Sequence, residues 1–303
     1  MMTLTSFLID VGQFGLRWVW MPLLLWTLVA LPIHGVARWA RRIDARIAYG
    51  LHVAVWWALP LGIGLSAAGL AGWLSGGGSA AGTSGATAAP NILVGPFSAV
   101  APAALNSGAQ PAWLVVMGGF TGVAGLVALR QIGRLIYGSV LLDRFRDQGR
   151  ESGAVDRLAA QIAAQLGIRR PVEVRLTEKE HVPMTFGWSQ PLIVLPAEIT
   201  REDESLRLAL THELIHVRRR HYIVGWLEHL IAALGQAYPL VPWFRRQLAY
   251  FRELACDVEV LEQENVSPRA YAQLLYRIAD KSRTNPLHAV ALSESPNHLI
   301  NRI

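Results

Sequence analysis

Three long stretches of the chain are apolar on every side rather than along one stripe: roughly Trp18 to Val36, a run within Ile47 to Leu74, and roughly Ala112 to Leu129, continuing toward Tyr137. A helix needs about 20 such residues to cross a bilayer core, so each stretch is long enough to span. Pro22, Pro32 and Pro60 fall within them, and membrane helices tolerate the resulting kinks. From Val140 onward the pattern changes. Val155 to Ile168 has apolar residues at helical spacing, with Gly167 placed to cap its C-terminus. Pro171 to Leu176 alternates like a strand, and His181 to Pro196 reads as two short strands around a turn near Ser189. Thr200, with Asp203 three residues on, reads as the N-cap of a helix through His216, and Glu202 and Glu204 add favourable charge to its first turn. A helix from about Tyr222 to Tyr238, a turn holding Pro239 and Pro242, and a returning helix through Phe251 to Asn265 follow. The apolar run Ile223 to Leu240 fits either a membrane-dipping hairpin or a core helix.

Charge separates the two halves and orients the first. Charged residues make up 17% of the chain, and none occurs from Ile47 to Leu129. Soluble domains carry about 25%. Of the net charge of +6, residues 1–137 supply seven Arg against two Asp. The excess therefore lies beside apolar spans, where it sets topology, and no basic face for nucleic acid is expected. The Arg218–Arg220 run reads as a solvated or headgroup-facing helix end. The loop between the first two spans holds Arg38, Arg41, Arg42 and Arg46, whereas Ser75 to Gln110 is uncharged and rich in Gly, Ala, Ser and Pro. By the positive-inside rule the arginine loop is cytoplasmic. The N-terminus and a disordered linker at about 75–110 are then outside, and residues 138–303 form a cytoplasmic domain after a membrane region of 1–137. The fold class expected is an α-helical multi-pass membrane region plus a mainly helical α+β domain with a small sheet.

The chemistry sits in THELIHVRRRH, Thr211 to His221. Residues four apart share a helix face, so His212 and His216 can point two imidazoles at one ion. Glu213, one step round, can reach a water on that ion without ligating it, which is the H-E-x-x-H arrangement of zinc proteases. A catalytic zinc usually takes a third protein ligand. Glu253 and Asp257, at i and i+4 on the returning helix, offer a ligand and an acceptor for the outer nitrogen of a bound histidine. Pro183 to Gly187, ending in Thr185, Phe186 and Gly187, is a candidate edge strand for holding an extended substrate. Tyr250, Arg252, Tyr271 and His288 are candidates for stabilising an oxyanion. His34 and His52 read as interface residues near the cytoplasmic boundary, His221 and His229 as lying beyond the motif, and Cys256 as a small buried hydrophobe.

HELIH, the basic run after it, PLVPWFRRQLAYFRELACD and the preceding MTFGWSQPLIVLP together resemble the BlaR/MecR-type antirepressor metallopeptidases, which are membrane-embedded gluzincins. The resemblance implies a zincin-like metalloprotease domain. It implies zinc held by His212, His216 and Glu253, Glu213 as catalytic base, and Asp257 as a supporting acid. It also implies a bacterial inner-membrane location, and membrane lipid and a cytoplasmic repressor as partners; a homodimer is a further expectation. The β-lactam sensors of that family have a fourth span and an outer penicillin-binding domain; this chain stops at about where the fourth span would begin. It contains no S-x-x-K and no K-T-G, so acylation by a β-lactam is not expected of these residues. Two other readings compete. One is a quality-control protease of the HtpX type, which shares HExxH, a later glutamate and spans. The other is a non-catalytic signalling scaffold with a structural metal, for which Glu213 would have no use.

Overall fold

The computed structural model describes residues 3–76, 112–144, 149–178 and 183–282. Nearly all of the expected linker, His288 and the end of the chain lie outside them. Helix α1 (Leu4–Gly15), a π-helical segment (Leu16–Trp20) and α2 (Met21–Ala40) run on as one rod, so the first span begins well before Trp18. Pro22 has no N–H and its ring crowds the carbonyl four residues earlier; the π segment just before it takes up the misfit. Helices α3 (Ala45–Gly76) and α4 (Ala112–Arg144) follow. Three helices, within Leu4–Ala40, Ala45–Gly64 and Ala112–Leu142, are long and apolar enough to cross a membrane. Their outer faces expose Leu28, Val116, Leu126 and Leu129, as lipid-facing surfaces do.

Between α1 and α4 the contact is backbone on backbone. A methyl group on Gly118 would strike the Leu8 carbonyl, and one on Gly12 the Leu114 carbonyl. Membrane helices lack a hydrophobic force between them and use small residues to gain such close packing. Helices α2 and α3 are joined through Trp26, whose indole Nε1 donates to the Val55 carbonyl at 2.8 Å. His34 and His52 are buried between these two helices, with Nδ1 of the first 3.0 Å from Nε2 of the second, rather than facing headgroups.

The ambiguous apolar run is a hairpin set against the spans. Helix α7 (His221–Leu234) rises and α8 (Leu240–Glu264) returns. At its tip the Tyr238 hydroxyl meets the Thr27 hydroxyl at 2.8 Å, midway along the first apolar stretch, and Phe244 packs edge-on against Trp26. Val241, Phe244 and Leu248 join Trp26, Val55 and Trp56 in one apolar cluster. The run thus forms a hairpin packed on the apolar helices α2 and α3 rather than a helix inside the sheet-bearing core.

Below the spans, α5 (Gly153–Gln165) and α6 (Asp203–Arg218) pack on a sheet of β1 (Glu173–Thr177), β2 (Met184–Phe186) and β3 (Leu192–Pro196). Gly167, at φ +72°, closes α5, and the Ile168 N–H reaches back to the Ala163 carbonyl as a Schellman turn requires. Strand order is β1-β3-β2, with β3 parallel to β1 and antiparallel to β2. In β3, Ile193 and Leu195 face α5 and α6, while Leu192 and Val194 face Leu142 of α4 and Phe186. The start of α6 differs from the sequence expectation. Thr200 lies in a 3-10 turn (Ala197–Arg201), where its hydroxyl donates to the Ala197 carbonyl at 2.7 Å. Glu202 is the N-cap instead. The turn satisfies Thr200 locally, so the helix begins later. Helix α9 (Pro268–Ser282) completes the domain.

Replacing Gly118 with Val should lower the unfolding temperature of the detergent-solubilised protein, since forced overpacking costs about 1–3 kcal/mol. Gly119→Val, which meets nothing within 4 Å, should leave it nearly unchanged. Equal melting of the two variants would mean that α1 does not pack on α4 through Gly118.

Candidate metal centre

Helices α6 and α8 lie antiparallel, and their facing residues fix the register. Glu264 of α8 accepts from Arg207 Nε and from the Thr211 hydroxyl, each at 2.5 Å. Five residues back along α8, Glu259 pairs with Arg218 and, at 2.7 Å, with Arg219. Much of the basic run expected to face solvent or headgroups is thus a tie to α8, with Glu259 itself buried.

That register sets His212 and His216 opposite Glu253. His212 Nε2 lies 3.1 Å from His216 Nε2 and 3.3 Å from Glu253 Oε2, and His216 Nε2 lies 3.5 Å from the same oxygen. Ligands about 2.0–2.1 Å from a tetrahedral ion stand about 3.3 Å apart, so this triangle has the dimensions of three zinc donors. All three side chains are mostly buried yet retain some exposure, at 12–14%. The donor chemistry, two imidazoles and one carboxylate, also suits zinc.

The far sides of both imidazoles are engaged. His212 Nδ1 is 3.0 Å from the Tyr271 hydroxyl and 3.4 Å from Asp257 Oδ1, and that hydroxyl donates to Asp257 at 2.8 Å. Asp257 thus reaches His212 both at longer range and through Tyr271 of α9. His216 Nδ1 is 2.8 Å from His221 Nδ1. Burial, followed by the neighbouring His216 and Arg252 charges, keeps the His221 pKa well below 6.5, so it is a neutral acceptor for the His216 Nδ1–H. Partners of this kind orient metal-binding histidines and raise their basicity. Burial likewise holds the Cys256 thiol in its protonated form, 3.8 Å from His221.

Glu213 is buried on α6, and its Oε2 accepts from the Thr185 hydroxyl of β2 at 2.5 Å. Strand β2 pairs with β3 alone among the described strands, leaving an edge beside the cluster. Phe186 faces away into the apolar cluster with Leu142, and Gly187 lies one residue past the strand at φ +108°, where it turns the chain.

Three of the oxyanion candidates are engaged by other partners. Tyr250 accepts from Arg41 at 3.3 Å near the α2–α3 turn, Arg252 donates to Glu228 at 2.8 Å, and Tyr271 stands behind His212. His288 is among the residues not described. The roles of Tyr271 and His221 carried no signal in spacing. Tyr271 comes from a different helix, and His221 follows a break where Arg220 adopts left-handed backbone at φ 54°.

Together the spans, the small sheet and this cluster define a helical membrane protein with a zincin-like domain. A comparison of the sequence with protein families then places it more narrowly: the chain belongs to the BlaR1 peptidase M56 family, whose model matches residues 24–303. It is 28% identical over 125 residues to the Regulatory protein BlaR1 of Bacillus licheniformis. That stretch covers 40% of this chain and 21% of the relative, so the chain aligns with about a fifth of that longer protein.

Burial alone would lower the His212 pKa, but the Asp257 and Glu253 carboxylates outweigh it and raise the value to about 10 in the metal-free protein. A raised pKa stabilises the metal-free fold fully below pH 6.5, and that contribution fades as pH climbs through about 10. A cation must displace this proton, so zinc uptake near pH 7.5 should release about one proton per chain. Calorimetry in buffers of different ionisation enthalpy would read it, and zero release would contradict the charged state of His212. Tyr271→Phe should weaken zinc binding about tenfold, measured against a chromophoric chelator; undiminished affinity would leave Asp257 as the sole support of His212.

Proposed function

We propose that this chain is a zinc metalloendopeptidase of the gluzincin type, with His212, His216 and Glu253 as metal ligands and Glu213 as general base. The observation that carries the reading is the triangle of three donor atoms at 3.1–3.5 Å, with both imidazoles backed by further partners. Zinc bound there would polarise the scissile carbonyl and acidify the attacking water. Glu213 takes the proton from that water and returns it to the leaving amine. Thr185 holds the base by its Oε2, leaving the other oxygen to face the reaction. The open edge of β2 binds an extended substrate segment through main-chain hydrogen bonds. A structural metal site would need no buried glutamate fixed by a threonine next to the ligands, which argues against the scaffold reading.

The arginine-rich α2–α3 turn supports a domain on the cytoplasmic side of a bacterial inner membrane, with the N-terminus outside. Its substrate is then a cytoplasmic protein. Kinship with a protein named as regulatory favours a signalling role, with a transcriptional repressor as target, over surveillance of damaged membrane proteins.

Glu213→Gln should keep the zinc content and cut the rate of peptide cleavage by about 10²–10⁴. Metal analysis and cleavage of a peptide library by the reconstituted protein would read the two effects. Cleavage at an undiminished rate would remove Glu213 as base, and a wild-type protein free of zinc would remove the enzyme reading.

A further inference from the structure

One charged pair is not absorbed by the site as described. Arg252 of α8 donates through Nη1 to Glu228 Oε2 of α7 at 2.8 Å, and both residues are buried. The pair lies at the foot of the hairpin, beside the spans, where desolvation of two charges is costly. Isolated buried pairs of this kind are often replaced by apolar residues with no loss of stability, so stability alone gives no reason to keep one. Nor is this pair fully satisfied, because Glu228 Oε1 is buried without a hydrogen-bond partner. Such a buried group calls for an explanation.

The neighbour in sequence supplies one. Glu253 turns Oε2 toward both histidines, and its other oxygen, Oε1, lies 3.7 Å from Arg252 Nε. The guanidinium thus stands between two carboxylates, one on α7 and one at the metal cluster. Its planar fork serves both at once, which a single ammonium could not.

We propose that Arg252, anchored by Glu228, is a positioning residue for Glu253: it engages Oε1 so that Oε2 alone is presented to the metal. This rests on Glu253 being a ligand. It also gives the hairpin a chemical task, since a shift of α7 relative to α8 would move Glu228, then Arg252, then the ligand carboxylate. Gly225 lies one turn before Glu228, and a methyl group there would stand 3.9 Å from Arg252 Nη1, so the guanidinium fits close against α7.

The full-length protein in detergent tests this with the double variant Glu228→Gln/Arg252→Met, which leaves no buried charge unpaired. Zinc affinity should fall about ten- to a hundredfold, the range for loss of a ligand's supporting partner. The d–d absorption of the cobalt-loaded protein should shift as Glu253 changes its mode of binding. The melting temperature of the metal-free protein should hold or rise. A folded double variant with wild-type zinc affinity and an unchanged cobalt spectrum overturns the proposal. Should the double variant not fold, Arg252→Lys carries the test. It keeps the charge but reaches only one carboxylate, so a several-fold weaker zinc affinity with a shifted cobalt spectrum is expected, and no change in either overturns the proposal. Wild-type protein that binds no zinc would instead defeat Glu253 as a ligand, and the reading of the site with it.

Discussion

The antiparallel pairing of α6 with α8 is the constraint from which the rest follows. His212 and His216 are local to one helix, and their spacing alone can make only half a site. Glu253 lies 41 residues from His212 in the chain, so its arrival depends on tertiary register. Two ties set that register, Glu264 with Arg207 and Thr211 near one end, and Glu259 with Arg218 and Arg219 near the other. Beside them Cys256 and Val260 of α8 lie with Leu208 and Ile215 of α6 in one buried cluster. The ion pairs decide where along the helix the contact is made, and the apolar seam holds it there. A slide by one turn would carry Glu253 about 5.4 Å away and leave the imidazoles without a carboxylate.

The same α8 also packs on the apolar spans, which fixes the position of the site. Its first half packs on Trp26, Val55 and Trp56, and its second half carries Glu253 and Asp257. Phe251 sits where these halves meet, stacked on His52 at 4.4 Å and packed with Ala37 and Ala48 beside the α2–α3 turn. Arg46, just after that turn, makes a two-pronged contact to Glu262 at 2.8 and 2.9 Å. Exposed pairs of this kind contribute little stability. Here the contact marks continuity: α8 touches the spans with one half and carries Glu253 of the histidine–carboxylate cluster with the other.

Much of this was legible in the sequence because it rests on short-range rules. The three apolar stretches, the strands on either side of Ser189 and the helix bearing HELIH each follow from local pattern and appear as expected. Two local expectations failed where a competing interaction was equally local. Thr200 bonds within a 3-10 turn rather than capping α6, and the π segment before Pro22 lets one helix run from Leu4 to Ala40. What could not be read was long-range. Nothing in the spacing brings Tyr271 of α9 behind His212, or folds His221 back on His216 through a left-handed Arg220. The sequence offers Arg252 and Tyr271 only as candidates for stabilising an oxyanion, because the side of the cluster they face depends on packing between helices.

Charge balance explains why so many ionisable groups gather in one buried region. Glu213, Glu253 and Asp257 bring three carboxylates, and Arg252 is shared between Glu253 and Glu228. Burying such a set without compensation would be prohibitive. In the metal-free protein the compensation is partial: His212 holds its proton up to about pH 10, placing one positive charge between Asp257 and Glu253. A divalent ion bound to the same Nε2 lone pair would supply two charges where the proton supplies one. The carboxylates that make His212 hard to deprotonate are therefore the same groups that make the cluster attractive to a dication. A proton and a dication would compete for one nitrogen, and the Asp257 and Glu253 carboxylates beside it favour whichever carries more charge.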